Sequence, residues 1–459
     1  MTKVINFSEN TMPLNFYSPE QHFEVYKKQF EASELGGIYK AIPWQKIISL
    51  LCLKRNKKGP EAIFSPHAKV ALMFLKHYTN LSDRKLLDRL NSDYQFQFFC
   101  NMFIDPLHPI ENYKKISEAR VEIAENVNIK EFQKLLAQSW AEHLDPKIVL
   151  TDATCYESYI RYPTDAKLLW ESVSWVKPKL NGLYQLVKGA VPRSKFIDIS
   201  KAYQIYSKKR RKTYKQTTKI KRRLIHLLKK LCEQLSDILE TLGGLENWQD
   251  SYQKRYNTIK NILVQQTELL EGKEVKNRIV SIDKEYIRPI IRGKENKRVE
   301  FGAKANVFQV SGISFVEHLS FDAFNEGTHL KNTVETAHYL FERKLDIISA
   351  DKIFANNKNR TYCTTEGITT NFVPKGRPAK DEKQRKQLRK ELDKERSTRM
   401  EGAFGTHKNH YSLQKVKART KKTEILWILF GIHTSNAKLI ASKIKQKELE
   451  EEEKKKQAA

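Results

Sequence analysis

The sequence predicts an α/β protein in which a five-stranded sheet follows an all-helical amino-terminal region and is interrupted by a helical insertion. Three observations predict it. Helical apolar spacing runs from about residue 18 to 145; strand-like runs then appear in "PKIVLTDAT", "RVEFGAKANVFQV", "ISFVEHLSF", "LDIISAD" and "ITTNFVPKG"; and a long stretch of leucines and isoleucines at helical intervals separates the first of these runs from the second.

In the amino-terminal region, "SPHAKVALMFLKHYTNLSDRKLLDRLNSDYQFQFF" places Val70, Met73, Phe74 and His77 on one helical face, and the pattern restarts where Ser82 or Asp83 can cap a new helix. Short helices joined by polar turns make a compact helical domain, and a DNA-reading helix-turn-helix is compatible with the pattern. The first strand is the continuous apolar run Ile148, Val149 and Leu150, closing at Asp152. Alternation through Val299, Phe301, Ala303, Ala305 and Val307, a Ser-Gly turn and a second apolar run read as an antiparallel hairpin. Leu330, Val334, Ala337 and Phe341 then mark a helix, "LDIISAD" a fourth strand ending at Asp351, and "ITTNFVPKG" a fifth. A long charged helix and an apolar one, "TEILWILFGIHTSNAKLI", complete the chain.

The stretch between the first strand and the hairpin is too long for a loop. Ile220, Leu224, Leu227, Leu231, Leu235, Ile238 and Leu242, then Ile259, Ile262, Leu263, Leu269 and Leu270, predict an inserted helical hairpin. Its approach, "SKKRRKTYKQTTKIKRR", holds ten basic residues and no acid. Such a run, led by Lys208, Lys209, Arg210, Arg211 and Lys212, suits a phosphate backbone.

The whole chain of 459 residues carries 83 Lys and Arg against 54 Asp and Glu, a formal charge of +29. That excess calls for a polyanionic partner, nucleic acid or an anionic membrane surface, and charge alone does not separate the two. The richest apolar run, "ILWILFGI", is far shorter than the roughly 20 residues of a membrane span, so no transmembrane helix is expected. No secretory signal is expected at the start either. Cys52, Cys100, Cys155, Cys232 and Cys363 show no zinc or disulfide spacing and read as free thiols in a reducing cytosol.

Taken singly, an Asp at a strand end or a Glu on a charged helix signifies little. Asp152 ends the first strand, Asp351 the fourth, and Glu401 lies on the helix after the fifth. Were the first and fourth strands neighbours, both aspartates would emerge at one edge, and a helix across the sheet could add the glutamate. Three such carboxylates repel one another unless divalent cations join them, and oxygen ligands suit Mg²⁺ or Mn²⁺ rather than zinc. Two such ions support in-line displacement at phosphorus.

"LTDAT", "YPTDAKLL", "FGAKANVFQV", "ISADKIFANN" and "RMEGAFGTHK", in this order, resemble the DDE transposases of bacterial insertion sequences, whose catalytic core is RNase H-like. The helical region around "LSDRKLLDRLNSDYQFQFF" is similar to the domain that precedes that core. The likeness covers about residues 60 to 440 apart from the insertion. It implies a helical DNA-binding domain at 1–145, a core at 146–440 interrupted by the basic insertion at 200–275, and a charged tail at 441–459. It also implies adjacent first and fourth strands, with Asp152, Asp351 and Glu401 as catalytic acids holding two Mg²⁺ or Mn²⁺ ions. Lys408, two helical turns after Glu401, resembles the family's phosphate-contacting lysine. The family arginine four residues before the glutamate falls on Ser397, leaving Arg396 and Arg399 as candidates on either side; the tyrosine of some members is replaced by Lys394.

Asp165 in "YPTDAK" is expected to be structural, and Glu317, His318 and Asp322 are assigned no part in the site. His407 and His410 read as exposed, unremarkable residues within reach of DNA, and Lys304, on the polar side of the second strand, is not assigned to the DNA backbone near the metals. The implied activity is cleavage at transposon ends and joining of the 3′-hydroxyls to target DNA, performed by a homodimer on paired terminal inverted repeats, in the cytoplasm and without a membrane. A regulator that binds double-stranded DNA without cutting, or a nuclease without strand transfer, would share the charge and fold.

Overall fold

The computed structural model describes residues 19–53, 62–291, 299–376 and 382–458; the start of the chain, where no secretory signal is expected, lies outside the described residues. Eight helices open the described chain: α1 (Pro19–Ala32), α2 (Glu34–Ala41), α3 (Trp44–Leu50), α4 (Pro66–Thr79), α5 (Asp83–Ser92), α6 (Tyr94–Phe99), α7 (Lys114–Asn126) and α8 (Ile129–Ser139). Side chains of Ser65, Ser82, Asp93 and Asn128 accept amide hydrogen bonds at the starts of α4, α5, α6 and α8. With Ser82 as the cap, Asp83 is left to pair with Lys76 at 2.7 Å and Arg120 at 2.8 Å. Residues 70 to 77 of α4 are buried without interruption, so in the helix-turn-helix pattern only α5 offers an exposed basic face, through Arg84, Lys85 and Arg89.

The sheet contains β1 (Ile148–Glu157), β2 (Pro289–Ile291), β3 (Val299–Val310), β4 (Ile313–Ser320), β5 (Ile347–Ala350) and β6 (Thr369–Thr370). β1 is central, antiparallel to β3 and parallel to β5; β4 flanks β3, and β6 flanks β5 in parallel. These are the five expected strands, in a mixed sheet consistent with an RNase H-like core. The short β2 was not foreseen and pairs with the first residues of β3. Ser311 and Gly312, both at positive φ (51° and 85°), make the two-residue turn of the β3–β4 hairpin. β1 runs on to Glu157 instead of closing at Asp152, because Cys155 and Tyr156 are buried and their backbone continues the ladder with β3.

Between β1 and β2 lie α9 (Asp165–Leu186), α10 (Phe196–Lys208), α11 (Tyr214–Thr241) and α12 (Asp250–Leu270). The expected hairpin is present as α11 and α12, and α9 and α10 pack on it. Leu224, Leu228, Leu231 and Leu235 meet Leu169, Val173, Val176 and Leu180 in an apolar cluster distinct from the sheet's.

α13 (Leu330–Phe341) joins β4 to β5 and α14 (Asn357–Thr365) joins β5 to β6, before α15 (Glu382–His410) and α16 (Lys421–Ala458). α16 is long and apolar enough to cross a membrane, but its apolar stretch is mostly buried inside the protein, as in the core helix of a folded domain. Its Phe430 packs 5.0 Å from Phe74 of α4 and 5.5 Å from Phe132 of α8, ring centre to ring centre.

The outer edge of β4 is finished by side chains instead of another strand. Gln133 of α8 donates to the Val316 carbonyl at 2.8 Å and accepts from its amide at 2.7 Å, and Asn436 of α16 does the same for Ser314 at 2.7 and 3.0 Å. Two amide groups thus mimic a strand, satisfy the backbone and block further pairing. One buried cluster consequently runs from Phe30 and Trp44 through Phe430 to Phe308 and Ile348.

Candidate active site

Parallel pairing of β1 with β5 sets Thr151 beside Ala350, so the next residues, Asp152 and Asp351, emerge from neighbouring strands. α15 lies across them. Its inward face carries Leu392, Arg396, Met400, Phe404 and His407, at spacings of three and four residues. Ser349 of β5 anchors the helix by donating to the Leu392 carbonyl at 3.1 Å.

Arg396 reaches both acids, donating to Asp152 Oδ2 at 3.0 Å and standing 3.7 Å from Asp351 Oδ1. The Asp152 side chain is 21% exposed and that of Asp351 49%. Burial holds the Asp152 carboxyl above its ordinary range; the Ala153 amide and Arg396 oppose this, while Asp351 and Glu326 reinforce it. The donors are all oxygens, and the charge that Arg396 leaves uncompensated is what a hard divalent cation relieves, so the pair fits such an ion.

Further along β1 on the same face, Thr154 accepts a hydrogen bond from Lys408 at 3.0 Å, and the Tyr156 hydroxyl lies 3.1 Å from His407 Nδ1. Glu401 is exposed on α15, between Arg396 and Lys408 in the chain. The structure thus seats Asp152 and Asp351 on adjacent strands, both facing Arg396, and carries Glu401 on the helix that crosses them. Arg396 is directed at the acids. Arg399 turns the other way, pairing with Glu395 at 2.9 Å and lining a cavity of about 910 Å³ with Gln309, His410 and Lys438.

Several expectations change. His407, placed near DNA by the sequence, is buried, and burial with Lys408 beside it pushes its imidazole down to about 3; His410 is exposed. Lys304 is committed within the protein, to Glu326 at 2.7 Å and the Phe324 carbonyl at 2.9 Å. Glu326, in a tight turn at Glu326–Thr328, acts on Asp152 electrostatically and was not foreseen, since no periodicity marks that turn. Asp165 is structural, as expected. It accepts from Lys221 at 2.7 Å and from Gln266 at 3.3 Å and pairs with Arg278, tying α9 to α11 and α12. Burial raises its carboxyl, but Lys221 and Arg278 outweigh that and hold it below the usual range. Lys208 to Lys212 occupy the end of α10 and the loop into α11, all exposed.

Residues 348–432, which include Asp351 and Glu401, match the family described as transposase DDE domain, and residues 23–122 match the transposase domain DUF772. No curated protein and no solved structure matches the chain. Together with the mixed sheet, these two matches support an insertion-sequence DDE transposase.

Proposed function

We propose that this transposase cuts the ends of its own insertion sequence and joins the freed 3′-hydroxyls to target DNA, with Asp152, Asp351 and Glu401 as its acids. The observation that carries this reading is the parallel β1–β5 pairing that sets Asp152 beside Asp351 under α15. Asp152 and Asp351 would hold two Mg²⁺ or Mn²⁺ ions, and Glu401 would complete the ligand set from the crossing helix. The metals, when bound, supply Lewis acidity for attack at phosphorus.

The chain's own residues do the rest. Arg396 and Lys408, on either side of Glu401 in α15, would grip non-bridging phosphate oxygens, with Arg396 exchanging carboxylate for phosphate without loss of charge pairing. Thr154 fixes the Lys408 ammonium, and the Tyr156–His407 bond beneath it keeps the helix in register with β1. The exposed run Lys208 to Lys212 and the face of α5 would bind the terminal repeats, in a homodimer that pairs two ends, in the cytoplasm on DNA.

Incubation with a labelled terminal repeat, a target plasmid and Mg²⁺ tests the reading. Joined products are expected; cut ends alone would indicate a nuclease, and a bound complex without cutting a regulator.

A further inference from the structure

Outside the aspartate pair, the end of β4 and the turn before α13 bring Glu317, His318 and His329 together, with one ligand-competent atom of each within 4.8 Å of the others. His329 Nδ1 lies 3.0 and 3.3 Å from the two Glu317 oxygens, and the rings of His318 and His329 are 4.6 Å apart. Phe324 covers both rings, at 4.9 and 4.7 Å. The Glu317 side chain is only 4% exposed. Asn306, fully buried on β3, donates to Glu317 Oε2 at 2.9 Å and to Thr333 Oγ1 at 3.1 Å, yet its own Oδ1 is buried without a partner.

A simple Glu317–His329 ion pair accounts for only part of this. It leaves a second imidazole, that of His318, beside the first with no acid of its own. It also leaves the Asn306 oxygen without a hydrogen bond in the interior, an arrangement that costs free energy unless something polar is held nearby. Two imidazoles and a carboxylate are a donor set for borderline first-row ions and a poor one for Mg²⁺.

We propose that Glu317, His318 and His329 form a transition-metal centre of the zinc class, separate from the Asp152–Asp351 pair. Its role is positional. The carbonyl of Gly327, two residues before His329, accepts from Asn356 at 2.8 Å and Asn359 at 2.7 Å, both in the segment that follows Asp351. A side chain at Gly327 would meet the Ile353 carbonyl at 2.5 Å, so the two segments touch backbone to backbone. Glu326, which bears on Asp152, belongs to the same turn. A metal at His329 therefore fixes the turn against which the Asp351 segment is braced.

The test uses the full chain, stripped with a chelator and titrated with Co²⁺ and with Zn²⁺. One equivalent of Co²⁺ is expected to give visible d–d absorption without the sulfur-to-metal charge-transfer band that cysteine ligation would add, and Zn²⁺ to raise Tm. Glu317→Gln, His318→Gln and His329→Gln should each weaken binding by about a hundredfold or more, at least the loss seen for outer ligands of metal sites. The Asp152→Asn, Asp351→Asn double variant should keep the same equivalent. Should the triad variants fold poorly, Asn306→Asp decides: it sets a carboxylate against Glu317 and should melt lower in chelator but regain stability with Zn²⁺. Absence of a stoichiometric band, a sulfur band in its place, unchanged binding by the triad variants, or no zinc rescue of Asn306→Asp overturns the proposal.

Discussion

Arg396 donates to Asp152 across the gap between α15 and β1 at 3.0 Å, and the same guanidinium stands 3.7 Å from Asp351. Its Nε is buried with no partner. The guanidinium is thus held by charge on one side and left unsatisfied on another, in a place where a cation for the acids and a phosphate for the arginine would be exchanged together. The electrostatic competition between Arg396 and a divalent ion for Asp152 follows from this geometry.

That competition makes Arg396→Ala informative. Removing the resident charge should raise Mn²⁺ affinity, measured by calorimetry, by roughly tenfold, while strand joining falls because phosphate loses its clamp. Arg399→Ala, on the opposite side of α15, should change neither. Equal effects of the two substitutions would show that Arg396 has no special relation to the acids.

Asp152→Asn, Asp351→Asn and Glu401→Gln should each reduce end cleavage by at least roughly two to three orders of magnitude, the scale for losing one electrostatic group at a reacting centre. Binding to labelled ends, followed by gel shift, should persist. Glu401 is the sharpest case, since it is exposed and comes from the crossing helix and not from the sheet: near wild-type cleavage by Glu401→Gln would leave the site with two acids.

Neutralising Lys208, Lys209, Arg210, Arg211 and Lys212 should weaken end binding and flatten its dependence on salt, by about one unit of slope for each phosphate the protein no longer grips. The residues are exposed and, among the described residues, form no hydrogen bond or ion pair with Asp152 or Asp351, so cleavage at saturating DNA should be unaffected. An unchanged slope would make the run an ordinary solvated face.

The strand positions of Asp152 and Asp351 were readable because the apolar runs before them are unambiguous, and the hairpin because Ser311 and Gly312 announce its turn. The closing of the β4 edge by Gln133 and Asn436 was not readable, since a glutamine or asparagine on an apolar helix face looks the same whether it meets water or a strand. His407 was misplaced for a related reason. Its neighbours Lys408 and His410 are polar, and only the packing of Met400 and Phe404 against β1 shows that position 407 turns inward. The choice between Arg396 and Arg399 needed the direction of the helix face, which spacing from Glu401 does not supply. The Glu317, His318 and His329 cluster has no sequence signature, because its ligands are split between a strand and a turn.

His77, His407 and His433 are fully buried, and burial above all pushes each imidazole down to about 3, against an ordinary 6.5. Between those values the unfolded chain binds protons that the fold refuses, so stability is present above about pH 6.5 and falls as the pH is lowered toward 3, by about 1.4 kcal/mol per pH unit for each histidine. His433 isolates the effect. It lies among Phe132, Phe315 and Trp140, its Nδ1 faces Asn436 at 3.0 Å, and its Nε2 is buried without a partner. His433→Phe removes both the unsatisfied nitrogen and the proton uptake, at the cost of the Asn436 hydrogen bond. Urea unfolding from pH 7.5 to 4.5 should show the variant close to wild type at the upper end and losing stability less steeply below pH 6.5, by about one proton's worth of slope. Parallel curves would mean that His433 is reached by protons in the folded state, and that its burial in the aromatic nest is incomplete in solution.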